Sequence, residues 1–140
     1  MDEVIFQITK ELLESGLRSF PVGYCPTSYV DPQKGLFYED RPVRELAFWE
    51  PERVIFLLYH GYDGKPEELK TFIQDLKKRQ VCAPEVLRGI NQLPRSGHPM
   101  DLFSVAVLLL GIYEKTNDYR EDCLNLIAKI PHLEIGRAHV

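Results

Sequence analysis

What this chain has little of narrows it first. It holds three cysteines, Cys25, Cys82 and Cys123, odd in number and far apart. They give neither a disulfide framework nor a close-spaced thiolate metal site, and they fit a reducing compartment. Basic residues are in deficit: 17 Lys and Arg stand against 21 Asp and Glu, a net charge of −4. A nucleic-acid binder carries a basic face, so no nucleic-acid partner is expected. Met1-Asp2-Glu3 is acidic where a secretory signal would be basic. The longest apolar stretch, Leu102 to Tyr113, is interrupted only by Ser104 and Gly111 and covers about 12 residues. A membrane-spanning helix needs roughly 20, so this stretch reads as a buried helix and no membrane partner is expected. His60, His98 and His132 are scattered outside any ligand spacing such as H-E-x-x-H, so no metal site is expected. There is no internal repeat and no low-complexity tract.

What is present is ordinary for a globular protein: 140 residues, 44% hydrophobic and 27% charged. That length allows one domain or part of a larger one. Residues 1–40 are rich in Gly, Pro, Tyr and Val and read as a β-containing leading segment. Val4 to Ile8 is a candidate strand. Thr9 caps a short helical piece through Ser15, stopped by Gly16. Thr27 to Val30 and Leu36 to Tyr38 flank Asp31-Pro32-Gln33-Lys34-Gly35, a hairpin turn in which Pro presets φ and Gly supplies a positive one. From Arg41 the pattern is helical, and residues 41–133 form a second segment. Val43 to Trp49 is a short helix. Pro51, Pro66, Pro84 and Pro99 each open a helix at its first position, and Gly61 closes the one begun at Pro51. Asp118 with Glu121 reads as a capping box for a sixth helix, which Pro131 should kink or end. The expected class is mainly α with a small β-hairpin near the start. The helix from Pro99 is apolar on most sides and wants more partners than the chain supplies.

Few residues suggest chemistry. Gly61-Tyr62-Asp63-Gly64-Lys65 lacks the spacing of a phosphate loop, and Pro66 removes an N–H donor, so it reads as a solvated loop. Glu121 and Asp122 are helix N-terminal charges, since sequence neighbours on a helix do not face each other. His98-Pro99-Met100-Asp101 reads as a helix start; the alternative is a histidine facing an anion at a positive helix end. Arg18 follows Gly16-Leu17 in a turn-rich stretch and is either a surface arginine or an anion contact. Composition and spacing show no activity.

The order of motifs resembles the N-terminal part of citrate synthase, especially its mitochondrial-like branch. Gly16-Leu17-Arg18 is similar to the family's Gly-(Met/Leu)-Arg turn, and Thr27 to Leu36 to its T-S-x-(L/I/V)-D-x-x-x-G-(I/L) hairpin. Pro42-Val43-Arg44-Glu45-Leu46 resembles the helix that follows, and Leu57-Leu58-Tyr59-His60-Gly61 a helix end. His98-Pro99-Met100 resembles the start of an interface helix, and Glu121 to Pro131 the E-D-C-x-x-L-I-A-K-(I/L)-P run. The resemblance implies an all-helical homodimer that condenses acetyl-CoA with oxaloacetate to citrate and CoA. No bound cofactor is implied, because the CoA thioester is a substrate. The two histidines and the aspartate that do this chemistry belong to motifs expected downstream, so no catalytic residue is assigned here. Arg18 matches an arginine that contacts CoA phosphates in some members. The dimer contact is implied for the helices near Pro99–Glu114 and Tyr119–Ile130. The implied compartment is cytoplasmic, or the mitochondrial matrix in a eukaryote. The alternatives are a 2-methylcitrate synthase acting on propionyl-CoA, or a non-catalytic helical interaction module docking through Leu102 to Tyr113.

The end of the chain departs from the resemblance. Ile135-Gly136-Arg137-Ala138-His139-Val140 is what the common sequencing adapter AGATCGGAAGAGCACACGTC encodes in one frame, and Glu134 would straddle the junction. Residues 134–140 are therefore expected to be a non-native tail on an incomplete N-terminal fragment, one without condensing activity. Sequencing the genomic locus is expected to show other residues after Leu133. A genomic frame encoding the same seven residues rejects this reading.

Overall fold

The computed structural model describes residues 6–16, 18, 20, 23–94 and 96–138, with the backbone alone over 134–138. Helix α1 spans Lys10–Glu14; Thr9 caps it by accepting from the Leu12 N–H at 3.4 Å, and Gly16 follows at φ +68°. Of the expected strand over Val4 to Ile8, Val4 and Ile5 lie outside the described residues. Phe6, Gln7 and Ile8 form no strand. No strand pairs with this segment, and Phe6 sets its ring 5.5 Å from that of Phe20 instead.

Strands β1 (Ser28–Asp31) and β2 (Gly35–Tyr38) form the expected antiparallel hairpin, with Tyr29 opposite Phe37. Their rings stack at 4.8 Å, a cross-strand pair that fixes register. The Asp31 carboxylate accepts from the Gln33 and Lys34 N–H groups, both at 2.8 Å, and this shapes the turn. A third strand, β3 (Arg41–Pro42), pairs with β2 and carries the sheet two residues past the expected boundary at 40. Its turn is Glu39-Asp40, with φ +45° and +60°, the two positive values a tight hairpin turn requires. Helix α2 (Val43–Leu46) packs on β2 and β3 and buries Leu46.

Four helices then open on a proline at the first position, where the missing N–H costs nothing. They are α3 (Pro51–His60), α4 (Pro66–Arg79), α5 (Pro84–Asn91) and α6 (Pro99–Glu114). Gly61 ends α3 in the left-handed region at φ +77°, its N–H donating to the Leu57 carbonyl at 2.8 Å. The 61–65 loop is brought back onto the helices at Gly64. A Cβ added there would lie 2.6 Å from the ring of Phe56, which is buried and set edge-on to Phe72 and Tyr62.

Charge ties the leading segment to the helices. Arg53 on α3 makes a bidentate contact with Asp63, at 2.9 and 2.6 Å. Arg41 on β3 reaches the same carboxylate at 3.6 Å. Both guanidiniums lie over Trp49, Arg53 at 3.6 Å and Arg41 at 5.2 Å from the ring centroid. The hydrogen bonds from Arg53 hold the Asp63 carboxyl below its usual range. A depressed carboxylate gives stability that is full above the ordinary value and is lost as pH falls through the lowered one.

Helix α7 (Tyr119–Ala138) is the centre of the packing. Leu124 and Ala128 join Phe56, Phe72 and Leu76 in one core cluster. Leu133 joins Cys82, Val86, Ile90, Ala106 and Leu110 in the other, with Leu126 packed against it. Of the two outcomes expected at Pro131, a kink or an end, the helix does not end there but runs on to Ala138. An internal proline costs roughly 3 kcal/mol, and burying a leucine returns about 1.5–3 kcal/mol. Leu133, one turn-fraction beyond, is 3% exposed and fills the second cluster. The expected capping box is half formed. Asp118 accepts from the Arg120 N–H at 2.8 Å, while Glu121 is drawn away to Arg79 at 2.7 Å.

A buried ion pair joins α6 to α7. Lys129, with a side chain 7% exposed, bonds Glu114, whose other oxygen accepts from the Ala83 N–H at 2.7 Å just before α5. Three helices thus meet at one carboxylate. Removing one partner strands a buried charge, which costs about 3–5 kcal/mol. Lys129→Met is expected to lower the urea-unfolding free energy by about 3 kcal/mol, and adding Glu114→Gln to recover much of it. An unchanged midpoint in the single variant would show that Glu114 finds water instead. Gly64→Ala is expected to cost about 1–3 kcal/mol by overpacking against Phe56, read as a lowered midpoint of thermal unfolding by circular dichroism.

Candidate functional site

Several of the residues that suggested chemistry in the sequence are occupied in bracing the fold. His98 is the N-cap of α6: its Nδ1 accepts from the Met100 N–H at 3.2 Å, so the helix-start reading holds. His60 ends α3 among aromatic rings, 4.2 Å from Phe56 and 4.9 Å from Tyr59 by centroid. His132 is exposed on α7, and His139 lies outside the described residues. The Asp122 carboxylate accepts from both the N–H and the hydroxyl of Thr116, at 2.8 Å each, and these bonds hold it below its usual range. Among the described residues no three His, Cys, Asp or Glu side chains are grouped to hold a metal ion.

The cysteines divide by environment. Hydrogen bonds with the Thr27 and Ser28 hydroxyls bring the exposed Cys25 thiol down to about 7. Its partners are hydroxyls, which do not act as a general base. Burial pushes the Cys82 thiol up, and it serves the core.

A mainly apolar cleft of about 190 Å³ lies between α6 and α7, and its polar lining includes Glu114, Asp122, Asn125 and Lys129. These groups serve one another and their neighbours. Lys129 meets Glu114, Asp122 meets Thr116, and Asn125 accepts from Arg79 at 3.0 Å. The cleft is a joint rather than a binding site.

Two features bear on the contacts expected of this chain. The first is the outward stripe of α6. Ala106 and Leu110 face the core, but Val105, Leu108 and Ile112 are 37%, 67% and 73% exposed. They recur at i, i+3 and i+7 and form one continuous strip along the helix. An exposed apolar strip of this kind marks a surface for protein contact. The sequence showed its signal, an α6 apolar on most sides. The second is Arg18, which is exposed in the turn after Gly16 and makes no ion pair among the described residues. Leu17 and Ser19 beside it lie outside the described residues. The structure brings Arg18 together with no other candidate residue. Sequence reading missed Lys129 and Glu114 altogether, since a Lys and a Glu 15 positions apart on different helices carry no local signal.

Among the described residues, no helix is long and apolar enough to cross a membrane. Comparison with known proteins supplies what the geometry does not. A family model described as "Citrate synthase, C-terminal domain" matches residues 16–137. The chain is 28% identical to citrate synthase 4, mitochondrial, of Arabidopsis thaliana, over 89% of this chain and 31% of that protein. It is 26% identical to the mitochondrial 2-methylcitrate synthase of Aspergillus fumigatus, over 94% of this chain and 34% of that protein. The crystal structure of citrate synthase from Pyrobaculum aerophilum superposes with a TM-score of 0.72 at 23% identity, covering 85% of this chain and 34% of that one. The superposition shows a shared fold; among the described residues this chain is mainly helical, with seven helices and a small three-stranded antiparallel sheet near the start. The chain thus spans about a third of the length of the curated relatives it matches. With the family model matching most of its residues, the chain belongs to the citrate synthase family.

Proposed function

We propose that this chain is the leading third of an acyltransferase that condenses acetyl-CoA with oxaloacetate to give citrate and CoA. The family match over residues 16–137 carries the reading. In it, residues 41–133 begin the large helical domain, and the histidines and aspartate of the condensation belong to the remainder of the protein. This part supplies scaffold and two contacts. The α6 stripe of Val105, Leu108 and Ile112, with the neighbouring α7, packs against a second copy. Arg18 projects from its turn to meet a phosphate of CoA, for which a planar guanidinium is suited. The compartment is the mitochondrial matrix in a eukaryote and the cytoplasm in a bacterium. A second reading, condensation of propionyl-CoA to 2-methylcitrate, is favoured by the Aspergillus relative, 26% identical against 28% for the Arabidopsis one.

The test is release of CoA by the full-length protein with oxaloacetate and either acetyl-CoA or propionyl-CoA. Faster turnover of acetyl-CoA supports the first reading, faster turnover of propionyl-CoA the second, and turnover of neither rejects both. The 140-residue chain alone is expected to release no CoA above a buffer blank, because proton transfer and oxyanion stabilisation contribute on the order of 10²–10⁴-fold each. In the full-length enzyme Arg18→Ala should raise the KM for acetyl-CoA about tenfold, roughly 1.4 kcal/mol. It should leave the KM for oxaloacetate and kcat nearly unchanged. An unmoved acetyl-CoA KM with a lowered melting temperature would make Arg18 a structural residue.

A further inference from the structure

A second concave surface lies away from the α6 stripe, between α3 and α4. It is a groove of about 530 Å³, within the range of small-molecule sites. Leu69 and Ile73 give it an apolar floor, Gly64 and Pro66 also line it, and Arg53, Lys70 and Lys77 supply its cations. The chain as a whole carries an excess of acid, yet among the described residues no carboxylate lines this groove. Arg53 is already held by Asp63, so the free charge belongs to the two lysines. Lys70 has Glu67 three positions back on the same helix, a spacing that favours an ion pair. No such pair forms, and Lys70 lines the groove instead. Lys77 likewise has no ion pair.

Positions 70, 73, 74 and 77 share one face of α4, and seven residues at 1.5 Å each place the two lysines on the order of 10 Å apart. We propose that the α3–α4 groove binds a bisphosphorylated small molecule, with one phosphate at Lys70 and the other at Lys77, and a hydrocarbon or flat body lying across Leu69 and Ile73. A ligand anionic at both ends engages both lysines and covers the apolar floor between them. The inference does not rest on the catalytic reading, since it concerns only groups in this chain.

Isothermal titration calorimetry of the full chain at low ionic strength tests it, with hexanediol bisphosphate and inorganic phosphate as probes. The bisphosphate is expected to bind at least about tenfold more tightly than phosphate and to weaken as salt is added. The combined Lys70→Gln and Lys77→Gln variant, with both changes at exposed positions and its fold checked by circular dichroism, should lose that advantage. Lys34→Gln, in the hairpin turn, should keep it. Equal affinity for the two probes overturns the proposal. So does an advantage that survives in the Lys70 and Lys77 variant, or that is lost equally with Lys34→Gln.

Discussion

Helix α7 has to satisfy two cores at once, and the rest of the helical body is arranged around that demand. Its Leu124 and Ala128 complete the cluster built on α3 and α4, and its Leu126 and Leu133 complete the one built on α5 and α6. Neither cluster is closed without it. The demand also explains why a lysine sits 6% exposed on this helix. Lys129 lies between the two apolar sets, where the backbone faces α6, and Glu114 is placed to neutralise it. A buried pair of this kind contributes little net stability beside an apolar replacement. It does fix how α6 and α7 meet, because only one sliding and rotation of the helices brings these two groups into contact while the Ala83 N–H reaches the same carboxylate.

The leading segment is held differently. The sheet packs on α2, and beyond α2 its polar link to the helices runs through Arg41, Asp63, Arg53 and Trp49. These groups are partly exposed, so each contact is screened and modest. Their arrangement is cooperative all the same. Arg53 is oriented by Trp49 below and Asp63 beside it, and Asp63 also receives Arg41 from the sheet. The sheet is therefore positioned by a polar brace, while the layer that carries the α6 stripe is positioned by a packed core.

Local chemistry was legible in the sequence wherever it acts over a few residues. Four prolines marked four helix starts, Gly61 marked a stop, Thr9 a cap, and Asp31-Pro32-Gln33-Lys34-Gly35 a turn, and the structure has all of them. What was not legible depends on partners distant in the chain. Strand β3 went unread because Glu39-Asp40 is a poor turn sequence, and the sheet, not the turn, enforces it. Whether α7 would end at Pro131 or run through it was left open, because the penalty is local while the gain comes from Leu133 joining the cluster that holds Val86 and Ile90. Glu121 looked like the second half of a capping box until Arg79, 42 positions earlier, took its carboxylate. For the site, the apolar excess of α6 was visible as composition, but which side stays uncovered required the packing. Arg18 was visible only through a resemblance, and its turn offers no partner that would assign it a role.

The distribution of unsatisfied groups separates scaffold from function in this chain. Most acidic and imidazole groups that could have suggested catalysis are paired: His98 with a backbone N–H, Asp63 with two arginines, Asp122 with Thr116, Glu114 with Lys129. Each of these bonds ties its group to the scaffold and gives it a part in the fold. Among the described residues, the groups left free include the apolar strip on α6 and cations such as Arg18, Lys70 and Lys77. Water solvates cations well and methyl groups badly, so the strip carries the stronger drive to be covered. Exposed leucine and isoleucine spaced at one helical face are costly to maintain on a lone domain, and the fold spends a buried ion pair and an internal proline to keep α6 and α7 in the arrangement that presents them. The packing of α7 thus sets where the strip on α6 lies at the surface of this chain.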